Sequence, residues 1–277
     1  MEIKKLIVSG CSFTQGHMLS ENETWGGYLA KKLNLDFLNL AMGGQGNEYI
    51  SNKIITHFLN NPKDKENSLV VIGWSDASRL MGTFENGNGY IKYVTIQPQD
   101  FNPEYTKNWP DDENFYHGYV KKNYNYLSKF FSSYAYCIYK TYLSIFILRQ
   151  YLESNNIPYL FFDAIKQNKL EGIEISNNNQ LVDRYIIKYK THGHDEIRQM
   201  EENIPQWILP VLNQEVQNTI FDTNKFISFG GHSMLSYMFK IDYEGLTKGN
   251  KGHPNSKAAN MFADLIKLQY ERIYNKR

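Results

Sequence analysis

A chain of 277 residues, 42% hydrophobic and 21% charged, is long enough to bury a sizeable core and too apolar to remain disordered. A formal net charge of +1 gives no global pull toward nucleic acid or an anionic membrane, so neither is an expected partner. Two cysteines, Cys11 and Cys137, form neither a disulfide framework nor a cysteine-rich zinc site, and a reducing, cytoplasmic setting is expected.

The chain enters an apolar strand almost at once, without the apolar core and small-residue cleavage site of a signal peptide. No apolar run is long enough to span a bilayer. Ile3 to Ser9 reads as a buried first strand that ends on glycine. Trp25 to Leu33 has helical spacing, and Phe37 to Leu40 is a short second strand closed by Gly43-Gly44-Gln45-Gly46. Glu48 to Leu59 is helical again, and Leu69 to Trp74 is a third buried strand. Alternating strands and helices, each strand ending in a glycine or polar loop, predict βαβ units and a parallel sheet.

The middle is less regular. Thr83 to Asp112 is rich in Gly, Asn, Pro and Asp and reads as an excursion from the sheet. Tyr124 to Ser154 is a long helical stretch, apolar nearly all round, which predicts packing on something large. Pro158 to Asp163 is a fourth strand. Lys166 to Glu244 is polar and gives few signals, among them a helix near Glu196 to Ile208 and the run Phe226 to Gly231. Asn255 to Tyr274 is a terminal amphipathic helix with Ala258, Ala259, Phe262, Ile266 and Tyr270 toward the core. The whole chain, 1–277, is expected to be one α/β domain with insertions at about 82–135 and 166–248.

Loops that can carry chemistry follow the strands, where open α/β sheets bind their ligands. They hold Gly10-Cys11-Ser12, then Gly43-Gly44, then Gly73-Trp74-Ser75-Asp76, and finally Asn250-Lys251-Gly252-His253 before the last helix. A serine hydroxyl is a poor nucleophile until a neighbouring base takes its proton. A histidine suits that task near neutral pH, and N–H groups in glycine turns suit a developing oxyanion. Simpler roles compete at each position. Ser12 can cap a helix. His253 can be a surface residue at a helix start, and Cys11 can be a nucleophile or an inert core thiol. Trp74 can line a pocket or cover the sheet, and Asp76 with Arg79 can be an exposed pair. No G-K-[ST] follows the Gly43 loop, which argues against a P-loop. His192 and His194 have a metal-like spacing without a third ligand, so no metal or other cofactor is expected. Tyrosines between 116 and 142 can stack on a sugar or simply pack; His117 and His232 have no local motif.

In order and strand context, these blocks resemble the SGNH/GDSL hydrolase family, with a softer similarity to its divergent, phage-encoded members. The matching blocks are Gly10-Cys11-Ser12, Asn39 to Gly44, Gly73-Trp74-Ser75-Asp76 and Asn250-Lys251-Gly252-His253. The resemblance implies a three-layer α/β/α, flavodoxin-like architecture. It implies Ser12 as nucleophile, with its own N–H and that of Gly44 as oxyanion donors, and His253 as general base. Ser75 stands where the family has an asparagine donor, and Asn250 stands where it has an aspartate. An amide at Asn250 can orient the histidine but cannot neutralise its charge, which implies a Ser–His dyad or a carboxylate from elsewhere, with Asp76 and Asp242 as candidates. Trp74 and Asp76 are the candidate substrate contacts. The implied activity is hydrolysis of a small-molecule ester, an O-acetyl carbohydrate ester being the narrower form. The two departures also support a rival, a non-catalytic binding or assembly protein on a degenerate scaffold. No oligomeric state follows from the sequence.

Overall fold

The computed structural model describes residues 2–86, 90–96, 134–165, 171–174, 182–191, 194–202, 208–221 and 223–274. In chain order the elements begin with β1 (Lys5–Gly10), α1 (Ser12–Gln15), α2 (Trp25–Leu33), β2 (Asp36–Asn39), α3 (Asn47–Asn60) and β3 (Ser68–Trp74). The hairpin β4 (Leu80–Asn86) and β5 (Tyr90–Ile96) follows, then α4 (Tyr134–Ser154) and β6 (Tyr159–Asp163). Next are β7 (Glu171–Glu174), β8 (Val182–Thr191), β9 (His194–Glu202), α5 (Leu209–Leu212) and α6 (Gln214–Phe221). The chain closes with β10 (Phe226–Ile227), α7 (Met234–Ile241), α8 (Tyr243–Thr247) and α9 (Ser256–Tyr274).

Five strands form one parallel sheet in the order β10-β6-β3-β1-β2. Counted along the chain, that is the doubly wound order 2-1-3-4-5. Successive side chains of a strand point to opposite faces. Ile7, Val70 and Ile72 therefore join α3 and α4 through Ile50, Ile54, Phe58, Ile138 and Tyr142. Leu6, Val8, Val71 and Phe162 face the other way and meet Leu29 of α2, Met238 of α7, and Phe262 and Ile266 of α9. Two cores, one on each face, make the three-layer α/β/α architecture. Every residue of β3 is buried, as its central place in the sheet requires.

Local chemistry explains the helix ends. The Thr24 hydroxyl accepts the Gly27 N–H at the start of α2, and Asn34 closes that helix in the left-handed region. Ser233 caps α7 and also donates to the Ile165 carbonyl, tying that helix to the end of β6.

Several expectations change. The helix expected near Glu196 is instead strand β9, paired antiparallel with β8, with Glu196 opposite Tyr189. The helix expected from Tyr124 is seen as α4 from Tyr134; residues 124–133 lie outside the described residues. That helix is not buried all round, since Phe146 and Ile147 stay exposed on its outer side. The excursion after residue 82 holds the hairpin β4–β5, separate from the main sheet; residues 97–112 lie outside the described residues. His117, His192 and the tyrosines at 116–133 also lie outside them. Among the described residues no helix is long and apolar enough to cross a membrane.

Candidate active site

The motif that ends β1 has a packing reason before it has a chemical one. Gly10 and Gly73 are directly paired across β1 and β3. The side chain of Thr14, one turn into α1, lies over both. A Cβ on Gly10 would stand 2.2 Å from Thr14 Oγ1, and one on Gly73 would stand 2.7 Å from it. Two glycines thus let a short helix settle on the carboxyl end of the sheet. Cys11 is fully buried in the core behind it, consistent with a packing thiol. Ser12 is half-buried and opens α1, where the backbone N–H has no intrahelical acceptor.

The loop after β2 is brought against Ser12 by its own hydrogen bonds. Met42 N–H donates to the Gly10 carbonyl at 3.1 Å, and Asn39 Nδ2 donates to the Thr14 carbonyl at 3.4 Å. A Cβ on Gly43 would lie 3.8 Å from Ser12 Cβ. Gly44 adopts φ +77°, a conformation that favours glycine, with no atom within 4 Å of where a Cβ would sit.

His253 arrives from the far end of the chain on a tight turn. Gly249, Lys251 and Gly252 all have left-handed backbones, at φ +78°, +48° and +78°. This turn sets the ring so that His253 Nε2 lies 2.9 Å from Ser12 Oγ, across 241 residues of sequence. Nδ1 lies 3.3 Å from the Lys251 carbonyl oxygen. A carbonyl only accepts, so Nδ1 carries the hydrogen and Nε2 is left to accept the Ser12 proton. The ring packs between Phe13 and His17, with centroid separations of 5.1 and 4.6 Å. Burial pushes the His253 pKa below its usual 6.5, and the nearby His17 and Arg79 push the same way against the backbone carbonyls of Lys251 and Asn250. The imidazole is therefore neutral at neutral pH.

Other expected residues are placed differently. Asn250 is buried, and its side-chain amide donates to the Pro254 carbonyl. It does not occupy the far side of the ring, where the Lys251 carbonyl stands. Asn250 reaches His253 only through its backbone carbonyl, which accepts the His253 N–H at 2.9 Å. Among the described residues no carboxylate is hydrogen-bonded to His253. Asp242 caps α8 through the Gly245 N–H and pairs with Lys257. Asp76 accepts from the Ser78 N–H and hydroxyl. It is buried rather than half of an exposed pair with Arg79.

Ser75 has no exposed surface, and its hydroxyl accepts from Arg79 Nη1 at 3.2 Å. Trp74 is equally buried, edge-on to Phe161 in the core. Sequence reasoning missed three participants. Asn47 clamps the Ser75 backbone, accepting its N–H at 2.8 Å and donating to its carbonyl at 3.2 Å. Arg79 reaches back to Ser75. The Lys251 carbonyl leaves no mark in residue type at all. A cleft of about 390 Å³ begins beside the pair, lined by Gln15, His17, Leu19, Glu21, Asn39 and Ala41 among others.

A family model described as a family of unknown function, DUF6071, matches residues 15–177. That span includes Gly44, Ser75 and Arg79 and stops short of Ser12 and His253. No protein of curated function matches the sequence. Among solved structures, a lipolytic-family G-D-S-L protein from Desulfitobacterium hafniense DCB-2 is 12% identical over 96% of this chain and 99% of that one, with a TM-score of 0.47. The psychrotrophic esterase EstA from Pseudoalteromonas sp. is 12% identical over 99% and 100%, with a TM-score of 0.46. A G-D-S-L lipolytic-family member from Veillonella parvula DSM 2008 is 11% identical over 99% and 100%, with a TM-score of 0.44. Scores this low carry no argument about the chemistry of this chain.

Proposed function

The chain belongs to a family of unknown function, DUF6071, and from its own site we propose that it is a serine ester hydrolase of the SGNH type, working through a Ser12–His253 dyad. The observation that supports this is the 2.9 Å contact between Ser12 Oγ and His253 Nε2, made by residues at opposite ends of the chain. Ser12 Oγ attacks the ester carbonyl carbon while its proton passes to Nε2. The carbonyl oxygen becomes an oxyanion that the N–H groups of Ser12 and Gly44 receive. The intermediate collapses, the C–O bond to the alcohol breaks, and the leaving oxygen takes the proton from Nε2. Water then repeats the sequence on acyl-Ser12, releasing the acid and restoring the serine.

The Lys251 carbonyl stands in for a carboxylate. It fixes the tautomer, but a dipole stabilises an imidazolium less than a full charge does. In a protease that depends on its aspartate, an uncharged replacement lowers turnover roughly 10⁴-fold. Slow turnover of generic esters is the expectation. A carbohydrate O-acetyl ester is the narrower form of the proposal, tested by acetate release from acetylated xylan.

That no carboxylate among the described residues is hydrogen-bonded to His253 favours a second reading, a binding protein that keeps the fold and not the reaction. A fluorophosphonate probe separates the two. The hydrolase reading expects one adduct on Ser12 by intact mass, absent in Ser12→Ala and strongly slowed in His253→Ala. No adduct at Ser12 would leave the binding reading.

A further inference from the structure

One cation beside the dyad has work left over. Arg79 is half-buried in the turn after β3, its N–H donating to the Asp76 carbonyl at 3.1 Å. Among the described residues its guanidinium has a single hydrogen-bond partner, Ser75 Oγ, and no carboxylate within ion-pair distance. Its neighbours tie it to the site. Gly46 lies so close that a Cβ there would stand 2.1 Å from the Arg79 carbonyl oxygen, and the same loop carries Gly43 against Ser12. Ser75 and Ser12 each stand two residues past the paired glycines Gly73 and Gly10. The charge of Arg79 is also felt at His253.

A partly desolvated guanidinium is costly unless solvent or an anion meets the donors its protein neighbours leave open. Its planar fork fits a carboxylate or another oxyanion with two parallel hydrogen bonds. Arg79 is partly exposed, and among the described residues its head group meets a single serine beside the glycine loop and no carboxylate.

We propose that Arg79 is a specificity-determining residue that anchors an oxyanionic group, such as a carboxylate, carried by the substrate close to its ester. The inference rests on the hydrolase reading for the word substrate, but the anion site can be tested without turnover. The Ser12→Ala protein, which cannot be acylated at that position, is titrated by NMR with three esters. They are neutral 4-nitrophenyl butyrate, 4-nitrophenyl hemisuccinate with an acyl-side carboxylate, and 4-acetoxybenzoate with an alcohol-side one. One of the anionic esters is expected to bind roughly tenfold tighter than the neutral one, the scale of a charge-assisted hydrogen bond. That preference should vanish on adding Arg79→Gln, survive in part in Arg79→Lys, and shrink as ionic strength rises. Equal binding of all three esters overturns the proposal, and so does a preference that Arg79→Gln leaves intact. Should Arg79→Gln fail to fold, Arg79→Lys and the salt titration decide in the same two directions. Fluorophosphonate labelling of the wild-type protein reports separately on the hydrolase reading. An Arg79-dependent preference without labelling keeps the anion site and removes the reaction; labelling without a preference does the reverse.

Discussion

The carbonyl oxygen of Lys251 lies 3.3 Å from Nδ1 of His253, on the side of the ring away from Ser12. The backbone pays for that placement with φ +48° at a residue that is not glycine. Lys251→Gly keeps the carbonyl and removes the Cβ clash, worth about 1–2 kcal/mol. It also adds about 0.5–1 kcal/mol of unfolded-chain entropy. The expected result is a stability equal to wild type or up to about 1.5 kcal/mol higher by urea unfolding, with Ser12 labelling unchanged. Lys251→Val should lose stability and slow labelling together, because a β-branched residue resists the left-handed turn. A marked loss of stability in Lys251→Gly would count against strain at this turn.

Asn250→Asp is the substitution that would complete an acid–histidine–serine triad if position 250 faced the ring. It does not. The amide is buried and spends its N–H on the Pro254 carbonyl. An aspartate there would lose the donor and set a carboxylate against a carbonyl oxygen. A loss of about 3 kcal/mol is expected at neutral pH, from the scale for a buried charge left unpaired. Turnover should not rise. Urea unfolding and a labelling rate measured on the same sample check both halves; a faster enzyme of undiminished stability would place Asn250 at the ring after all.

The contact of Thr14 with Gly10 and Gly73 predicts unequal rescue. Gly73→Ala puts a methyl 2.7 Å from Thr14 Oγ1 and 3.0 Å from the Phe162 ring. A loss of roughly 1–3 kcal/mol is expected, as for other overpacked cores. Thr14→Ala removes the nearer obstacle, along with a buried oxygen that has no hydrogen-bond partner among the described residues, and should restore part of it. Gly10→Ala should not be rescued, because its methyl would also stand 2.8 Å from the Gly73 carbonyl, which no side-chain change moves. Thermal unfolding of the two double variants gives the comparison.

What was legible in the sequence follows from what residue type can record. The first four strands of the sheet and α2, α3 and α9 carry apolar spacing of the right period, because each buries one face or both. The fifth strand, Phe226–Ile227, is two residues long and too short to show a period. Glu196 to Glu202 reads as helical, and its pairing with β8 overrides that local preference. Ser12, Gly44 and His253 could be singled out because side-chain chemistry or the lack of a side chain defines their expected roles. The partner of His253 Nδ1 could not, because any residue at 251 supplies a carbonyl, and only the turn decides where it points. Ser75 and Asn250 misled for a related reason. Their types permit an oxyanion donor at 75 and a ring-orienting amide at 250, while both side chains are buried and bonded to Arg79 and Pro254.

The pH profile tests the electrostatics of the dyad. Burial holds the His253 pKa below 6.5, and the charges of His17 and Arg79 lower it further. The base must be neutral to accept the serine proton, so the acid limb of kcat/KM for an aryl ester should have its midpoint below pH 6.5. Arg79→Gln removes a positive charge and should move that midpoint up, toward the value of a free imidazole. For stability the sign follows from the same shift. Above pH 6.5 the ring is neutral in both the folded and the unfolded chain, and His253 contributes no pH dependence. As pH falls through 6.5 the unfolded chain takes up the proton first, and stability is lost until the lower folded-state pKa is reached. His253→Gln should flatten that part of the stability curve, read by urea unfolding at a series of pH values. A wild-type acid limb centred above pH 6.5 would mean that the protonated ring is stabilised in the folded protein, as a carboxylate at Nδ1 would do, and would overturn the carbonyl-supported dyad.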